Sequence, residues 1–192
     1  MNRIFDSTRT CNKLKLFWNK ARTSLRWKIK VFHSIIRSKL LYGLECIQLN
    51  QAERNKLNAF QIKCYRRILH IPPTSVDRTV TNEDVKRILQ DQQGLKVADF
   101  SDMWILKKIK LLGHIIRSHN QDPMKQVLFE PYTLTPRIEH ARRVGKPRAH
   151  WLIETYADAY KAAGMLEQFD MENIQHRNVI HDMAMQRTGI FQ

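Results

Sequence analysis

Two features of this 192-residue sequence have the residue types and spacing for chemistry, and both concern phosphate. The first is Tyr156-Ala157-Asp158-Ala159. Two-metal phosphoryl transfer needs neighbouring carboxylates to hold a pair of cations. Here Asp158 is followed by Ala159, and Trp151, Leu152, Ile153, Ala162 and Ala163 on either side read as helix. No catalytic residue is assigned. The second feature is a pair of basic rows. Arg22, Arg26, Lys30 and Arg37, with His33 between them, form a stripe beside an apolar helical face. Lys56, Lys63 and Arg67 with His70 repeat the scheme, and Arg66 stands beside them.

Other constellations carry less. His114 and His119, and His176 and His181, are each five apart, whereas zinc pairs on a helix favour the i, i+4 spacing that puts both rings on one face. Cys11, Cys46 and Cys64 are odd in number and too irregular in spacing for a disulfide framework or zinc module. Cys64 sits at an apolar helical position and reads as a small core residue. With six glycines the chain has little material for a phosphate loop, and no Ser/His/Asp signature is present. Neither metal nor cofactor is expected. A third basic group, Arg143, Lys146 and Arg148, surrounds the Gly145 to Pro147 turn, where backbone amides and guanidinium forks suit phosphate oxygens.

Charge supports a polyanionic partner. The formal net charge is +15, and such an excess attracts nucleic acid or anionic surfaces. Through His70 the sequence holds 16 Lys and Arg against 3 Asp and Glu; the remainder holds 17 against 15. Solvated helix faces ordinarily interleave acids, yet Glu45 and Glu53 are the only acids between Arg9 and Ile71. So unbalanced a face repels itself, a cost that phosphates offset. Trp18, Trp27, Tyr42 and Tyr65 lie among these cations as candidates for stacking on bases, although each has core packing as its plainer role.

The elements that must position these groups read as helices throughout. Leu25, Ile29, Phe32, Ile36 and Leu40 give one apolar face; Leu57, Phe60, Cys64 and Ile68 give the next. Ser24, or Thr23, caps the first, Asn50 with Glu53 forms a capping box on the second, and Pro72-Pro73 stops it. A helix from about Cys11 to Arg22 precedes them, and residues 1–10 are expected to be loosely held. Thr81 opens a short helix through about Leu89, Gly94 resets the chain, and Val97 to Ser118 is the most apolar helix. Asp122-Pro123 opens a brief helix to about Phe129. Residues 130–146 read as a basic Pro/Gly linker, followed by helices from Pro147 to about Ala163 and from about Met171 to Arg187. Leu44 to Leu49 and Val127 to Leu134 are weak candidates for strands. No apolar run approaches the roughly 20 residues that span a bilayer, so an intracellular protein, nuclear or cytoplasmic, is expected.

Taken in order, five segments resemble the region after the palm of non-LTR (LINE-type) retrotransposon reverse transcriptases. They are Leu40-Leu41-Tyr42-Gly43-Leu44-Glu45; Lys56 to Leu69, with Phe60-Gln61 and Arg66-Arg67-Ile68-Leu69; Arg78 to Glu83, containing Thr81-Asn82-Glu83; Leu112-Gly113-His114-Ile115-Ile116-Arg117; and Gly145-Lys146-Pro147-Arg148-Ala149-His150-Trp151. The resemblance spans roughly Leu14 to Ala157. It implies a thumb-like helical domain and the start of a C-terminal region, parts that hold template and primer beside a polymerase site. Fingers, palm, paired aspartates, endonuclease and Cys/His knuckle have no counterpart in these residues.

The expectation is therefore an all-α protein: a thumb-like domain over residues 11–129, a linker over 130–146 and a C-terminal helical segment over 147–192. It would act without catalysis of its own, gripping RNA, DNA or an RNA–DNA duplex through phosphates by Arg22, Arg26, Lys30, Arg37, Lys56, Lys63, Arg66, Arg67, Arg143, Lys146 and Arg148. The alternatives are a helical interaction module that docks to a separate palm through an apolar patch of Trp18, Trp27 and Trp104, or a decaying retroelement reading frame. Neither a membrane nor a small-molecule substrate is expected.

Overall fold

In a computed structural model, which describes residues 2–94, 97–137, 150–165 and 167–191, the protein is all-α. It divides into two compact units: unit 1 comprises Met1–Leu44 and Leu49–Met103, and unit 2 comprises Glu45–Gln48 and Trp104–Gln192. The sequence places a boundary near residue 129, where composition changes; the packing instead divides the chain at Met103, inside its most apolar helix. Composition marks a linker by its prolines and glycines, while a core boundary depends on which side chains meet.

Unit 1 opens with α1 (Asn2–Lys13) and α2 (Lys15–Lys20). Residues 2–10 are thus helical, contrary to the loose N-terminus expected. Their inward row is Ile4, Ser7, Thr8 and Cys11, with Ser7 and Cys11 fully buried. Hydropathy does not flag so polar a row, and the Thr8 and Thr10 hydroxyls satisfy themselves on the carbonyls of Ile4 and Asp6. The Ser24 hydroxyl caps α3 (Leu25–Val31) by accepting from the Trp27 amide. The chain then widens into a π-helical segment over Phe32–Arg37 before α4 (Ser38–Leu41). Ile29, Phe32, Ile36 and Leu40 are all buried, as their spacing predicts.

The capping box predicted at Asn50 and Glu53 is formed in full, and starts α5 (Gln51–Ile68). Thr81 and Asp84 make a second box on α6 (Asn82–Gln93), which Gly94 ends with a left-handed φ of 59°. Within the core Phe32 stacks on Phe100 at 6.0 Å and meets Tyr65 edge-on at 5.2 Å. Gln61 is fully buried because both ends of its amide are used: Nε2 donates to the Ala98 carbonyl at 2.8 Å and Oε1 accepts from the Phe100 amide at 2.9 Å.

Helix α7 runs Phe100–Arg117. From Trp104 onward it belongs to unit 2, with α8 (Pro123–Leu128), α9 (Trp151–Ala162) and α10 (Ile174–Met185). Asp122 caps α8 and Pro123 occupies its first turn, as predicted. The last helix is shorter at both ends than its sequence suggests. Ile109, Leu112, Ile116, Tyr156, Ile180, Ala184 and Phe191 form the core, and Gly113 leaves the gap that the Phe191 ring fills, since any Cβ there collides with it. The weak strand candidates resolve otherwise: Leu44–Cys46 is a 3-10 turn, and Phe129 makes an isolated antiparallel bridge to Pro136. Among the described residues no helix is long and apolar enough to cross a membrane.

Candidate nucleic-acid interface

The cations expected to meet phosphate fall into three groups by environment. Arg22, Arg26, Lys30, Lys56 and Lys63 are exposed, and Arg37 and Arg67 are half-buried. Among the described residues none of these seven is ion-paired to a carboxylate; the salt bridges found there lie elsewhere, such as Lys86 to Asp99 and Arg87 to Asp84. Arg143, Lys146 and Arg148 lie outside the described residues.

Arg66 is the correction. Expected on the phosphate face, it is only 4% exposed. Its Nη1 donates to the Pro72 carbonyl at 2.9 Å and its Nη2 to the Val80 carbonyl, so it clamps the loop between α5 and α6. Adjacent residues on a helix point about 100° apart, and Arg67 reaches towards α1. There Nη1 of Arg67 donates to Asn12 Oδ1 at 2.5 Å and lies 3.7 Å from Cys11 Sγ.

The structure gathers two subsets of cations around concavities. The first is a shallow groove along the π-helical segment, lined by Trp27, Lys30, His33, Ser34 and Arg37. Trp27 is 60% exposed, and Lys30 Nζ sits 5.4 Å from the centre of its ring. That places a positive charge over one face of an exposed aromatic ring, and a base stacked on such a ring would have its phosphate near the lysine. His33 hydrogen-bonds the Tyr65 hydroxyl at 3.1 Å. Burial, with the nearby Arg37 charge, lowers its pKa to about 4, so the ring is neutral at physiological pH. The second is a cavity walled by Lys63, Arg66 and Arg67. Arg22, Arg26 and Lys56 line neither.

Of the aromatic candidates only Trp27 and Tyr42 are exposed; Trp18 and Tyr65 are buried. Trp18 Nε1 donates to the Cys11 carbonyl at 3.0 Å, and Lys28 Nζ, also buried, donates to the Trp18 carbonyl at 2.7 Å. Trp104 is likewise fully buried, so the apolar docking patch of Trp18, Trp27 and Trp104 does not form. Sequence reasoning could not sort these tryptophans, because each lies at a helical position with apolar neighbours.

The remaining constellations are structural. Asp158 stands on α9 and pairs with the buried Lys108 at 3.1 Å. The His181 ring meets the Tyr156 hydroxyl at 2.6 Å, while His176 accepts from the Asp170 amide. Among the described residues no cluster of His, Cys, Asp and Glu has the geometry for a metal. Cys11 and Cys64 are both buried with sulfurs 3.8 Å apart. The Cys64 contact, with the Arg67 charge, lowers the Cys11 pKa to about 6, and the same contact with burial pushes the Cys64 thiol up. Comparison with protein-family models, curated proteins and solved structures finds no match to this chain.

Proposed function

We infer that the protein binds nucleic acid without sequence preference, holding the phosphates of an RNA, a DNA or an RNA–DNA duplex, and that it performs no catalysis of its own. The observation that carries this reading is the set of seven unit 1 cations, Arg22, Arg26, Lys30, Arg37, Lys56, Lys63 and Arg67, left without carboxylate partners among the described residues. Chains that spend such charge on internal ion pairs have none to offer a polyanion; here five of the seven are exposed, and the other two are half-buried. The resemblance to the thumb and following region of LINE-type reverse transcriptases supports the same reading, since a thumb grips a duplex by its backbone.

The test is salt dependence. If about six cations engage phosphates, the logarithm of affinity falls against the logarithm of salt with a slope of roughly −4 to −5. Replacing Arg26, Lys30, Lys63 and Arg67 together by glutamine should reduce that slope by about 3 to 4 while far-ultraviolet circular dichroism stays unchanged. A wild-type slope near zero rejects phosphate binding.

A further inference from the structure

The cavity beside the C-terminal half of α5 carries more than a general affinity for phosphate. It is lined from α5 by Ala59, Ile62, Lys63, Arg66 and Arg67, and from the chain beyond α5 by Ile71 and Pro73. Thr74 and Asn82 add a hydroxyl and a carboxamide. Its volume is about 450 Å³, inside the roughly 300–1,000 Å³ range of small-ligand pockets. The charge on its wall is unusual in one respect. Arg66 is a buried cation whose guanidinium meets only carbonyl oxygens, and whose Nε is buried without a hydrogen-bond partner among the described residues. Asp77 feels the Arg66 charge without forming a direct ion pair with it among the described residues; a buried charge so weakly compensated is costly, and Lys63 and Arg67 beside it raise the positive potential further.

An internal phosphodiester brings a single negative charge, whereas a phosphomonoester brings about −1.5 to −2 near pH 7. Three cations in one lining therefore favour the monoester, and Ile62, Ile71 and Pro73 give a flat ring apolar groups to lie against. We propose that this cavity is a site for the phosphorylated end of a nucleic-acid strand, with the terminal phosphomonoester on Lys63 and Arg67 beside the Arg66 charge, and the terminal base against Ile62, Ile71 and Pro73. The site rests on the nucleic-acid reading above and refines it: Arg22, Arg26, Lys30, Arg37 and Lys56 hold internal phosphates, and Lys63 and Arg67 in the cavity hold an end.

Fluorescence anisotropy of the full chain with a labelled tetranucleotide tests the assignment. Three versions are compared, carrying a 5′-phosphate, a 3′-phosphate or no terminal phosphate, with a circular single-stranded DNA as the probe that has no end. One of the phosphorylated versions should bind at least about tenfold more tightly than the unphosphorylated one, the worth of a single charge-assisted contact. Ala59→Phe, which fills the cavity from α5, should erase that preference and leave affinity for the circle within about twofold. Thr74→Trp, filling it from the loop, should do the same if Ala59→Phe folds poorly. Equal affinity for all three tetranucleotides with the circle still bound overturns the end site alone. A preference that survives both filling variants overturns it too, whereas failure to bind the circle at low salt sinks the general reading.

Discussion

Lys30 in unit 1 and Lys108 in unit 2 are the same residue under opposite conditions. Lys30 is exposed, and the contact found for it is the face of Trp27. Lys108 is fully buried, donates to Gln48 Oε1 at 2.8 Å and to Asp158 Oδ2 at 3.1 Å, and lies 4.5 Å from the centre of the Trp104 ring. Gln48 in turn bonds Glu154. One lysine is held by groups that exist to satisfy it; the other has its donors facing water. Lys108 thus uses its charge inside a core, as Lys28 and Arg66 do in unit 1, whereas Lys30 presents it. Lys30 has few acids near it in the chain: the first 70 residues hold 3 Asp and Glu.

The comparison can be broken most directly at Lys108. Lys108→Ala leaves Asp158 and Gln48 without their partner inside unit 2, and should cost about 3 kcal/mol in chemical denaturation, the low end for a broken buried pair because Asp158 is partly exposed. Lys30→Ala should change stability by less than about 0.5 kcal/mol. Equal costs would mean that Lys30 and Lys108 do not differ in how their charge is used.

Within unit 1 the neighbours Arg66 and Arg67 sharpen the same contrast. Arg66→Ala frees the Pro72 and Val80 carbonyls and should lower stability by about 2 kcal/mol. Arg67→Gln should instead weaken nucleic-acid binding, lowering the salt slope by about 1 while leaving most of the stability. The reverse pattern would show that the buried and presenting roles are exchanged.

Proton uptake is where the units should agree. His33 in unit 1 and His181 in unit 2 are each lowered to about 4, chiefly by burial, with Arg37 and Arg177 respectively adding to it. Above about pH 6.5 both rings are neutral folded or unfolded. As pH falls from there towards 4 the unfolded chain gains protons that the folded chain refuses, so stability declines across that window and levels off below it. His33→Gln and His181→Gln should each flatten part of that decline in denaturation curves taken from pH 7 to 4. A profile unchanged in both variants would assign the acid sensitivity to other groups.

The smallest expected effect belongs to Trp27. Trp27→Ala removes an exposed ring and should leave the thermal midpoint within a degree or two of the wild type, yet weaken single-stranded binding by about 1 kcal/mol if a base stacks there. Loss of stability without loss of binding would move Trp27 from the interface to the fold.

Much of the helical framework was legible because its signals are local. The Asn50 capping box, the Ser24 cap, the helix starts at Thr81 and at Asp122-Pro123 and the break at Gly94 each act within one turn of chain. The site was legible only as a set of charges. That Arg66 turns inward and Arg67 outward depends on where the loop carbonyls at Pro72 and Val80 come to rest, 6 and 14 residues further on. Nothing in the apolar repeat of residues 25–40 marks the widened turn at Phe32–Arg37, along which Lys30, His33 and Arg37 share a groove with Trp27.

By itself the sequence determined an all-helical chain with its excess positive charge in the first third, since periodicity, caps and composition operate on neighbouring residues. Tertiary structure alone decided which cations are presented and which are buried, which tryptophans form core, and where the chain divides into two units. Those outcomes depend on burial, and burial is a property of surfaces that meet only after the chain has folded.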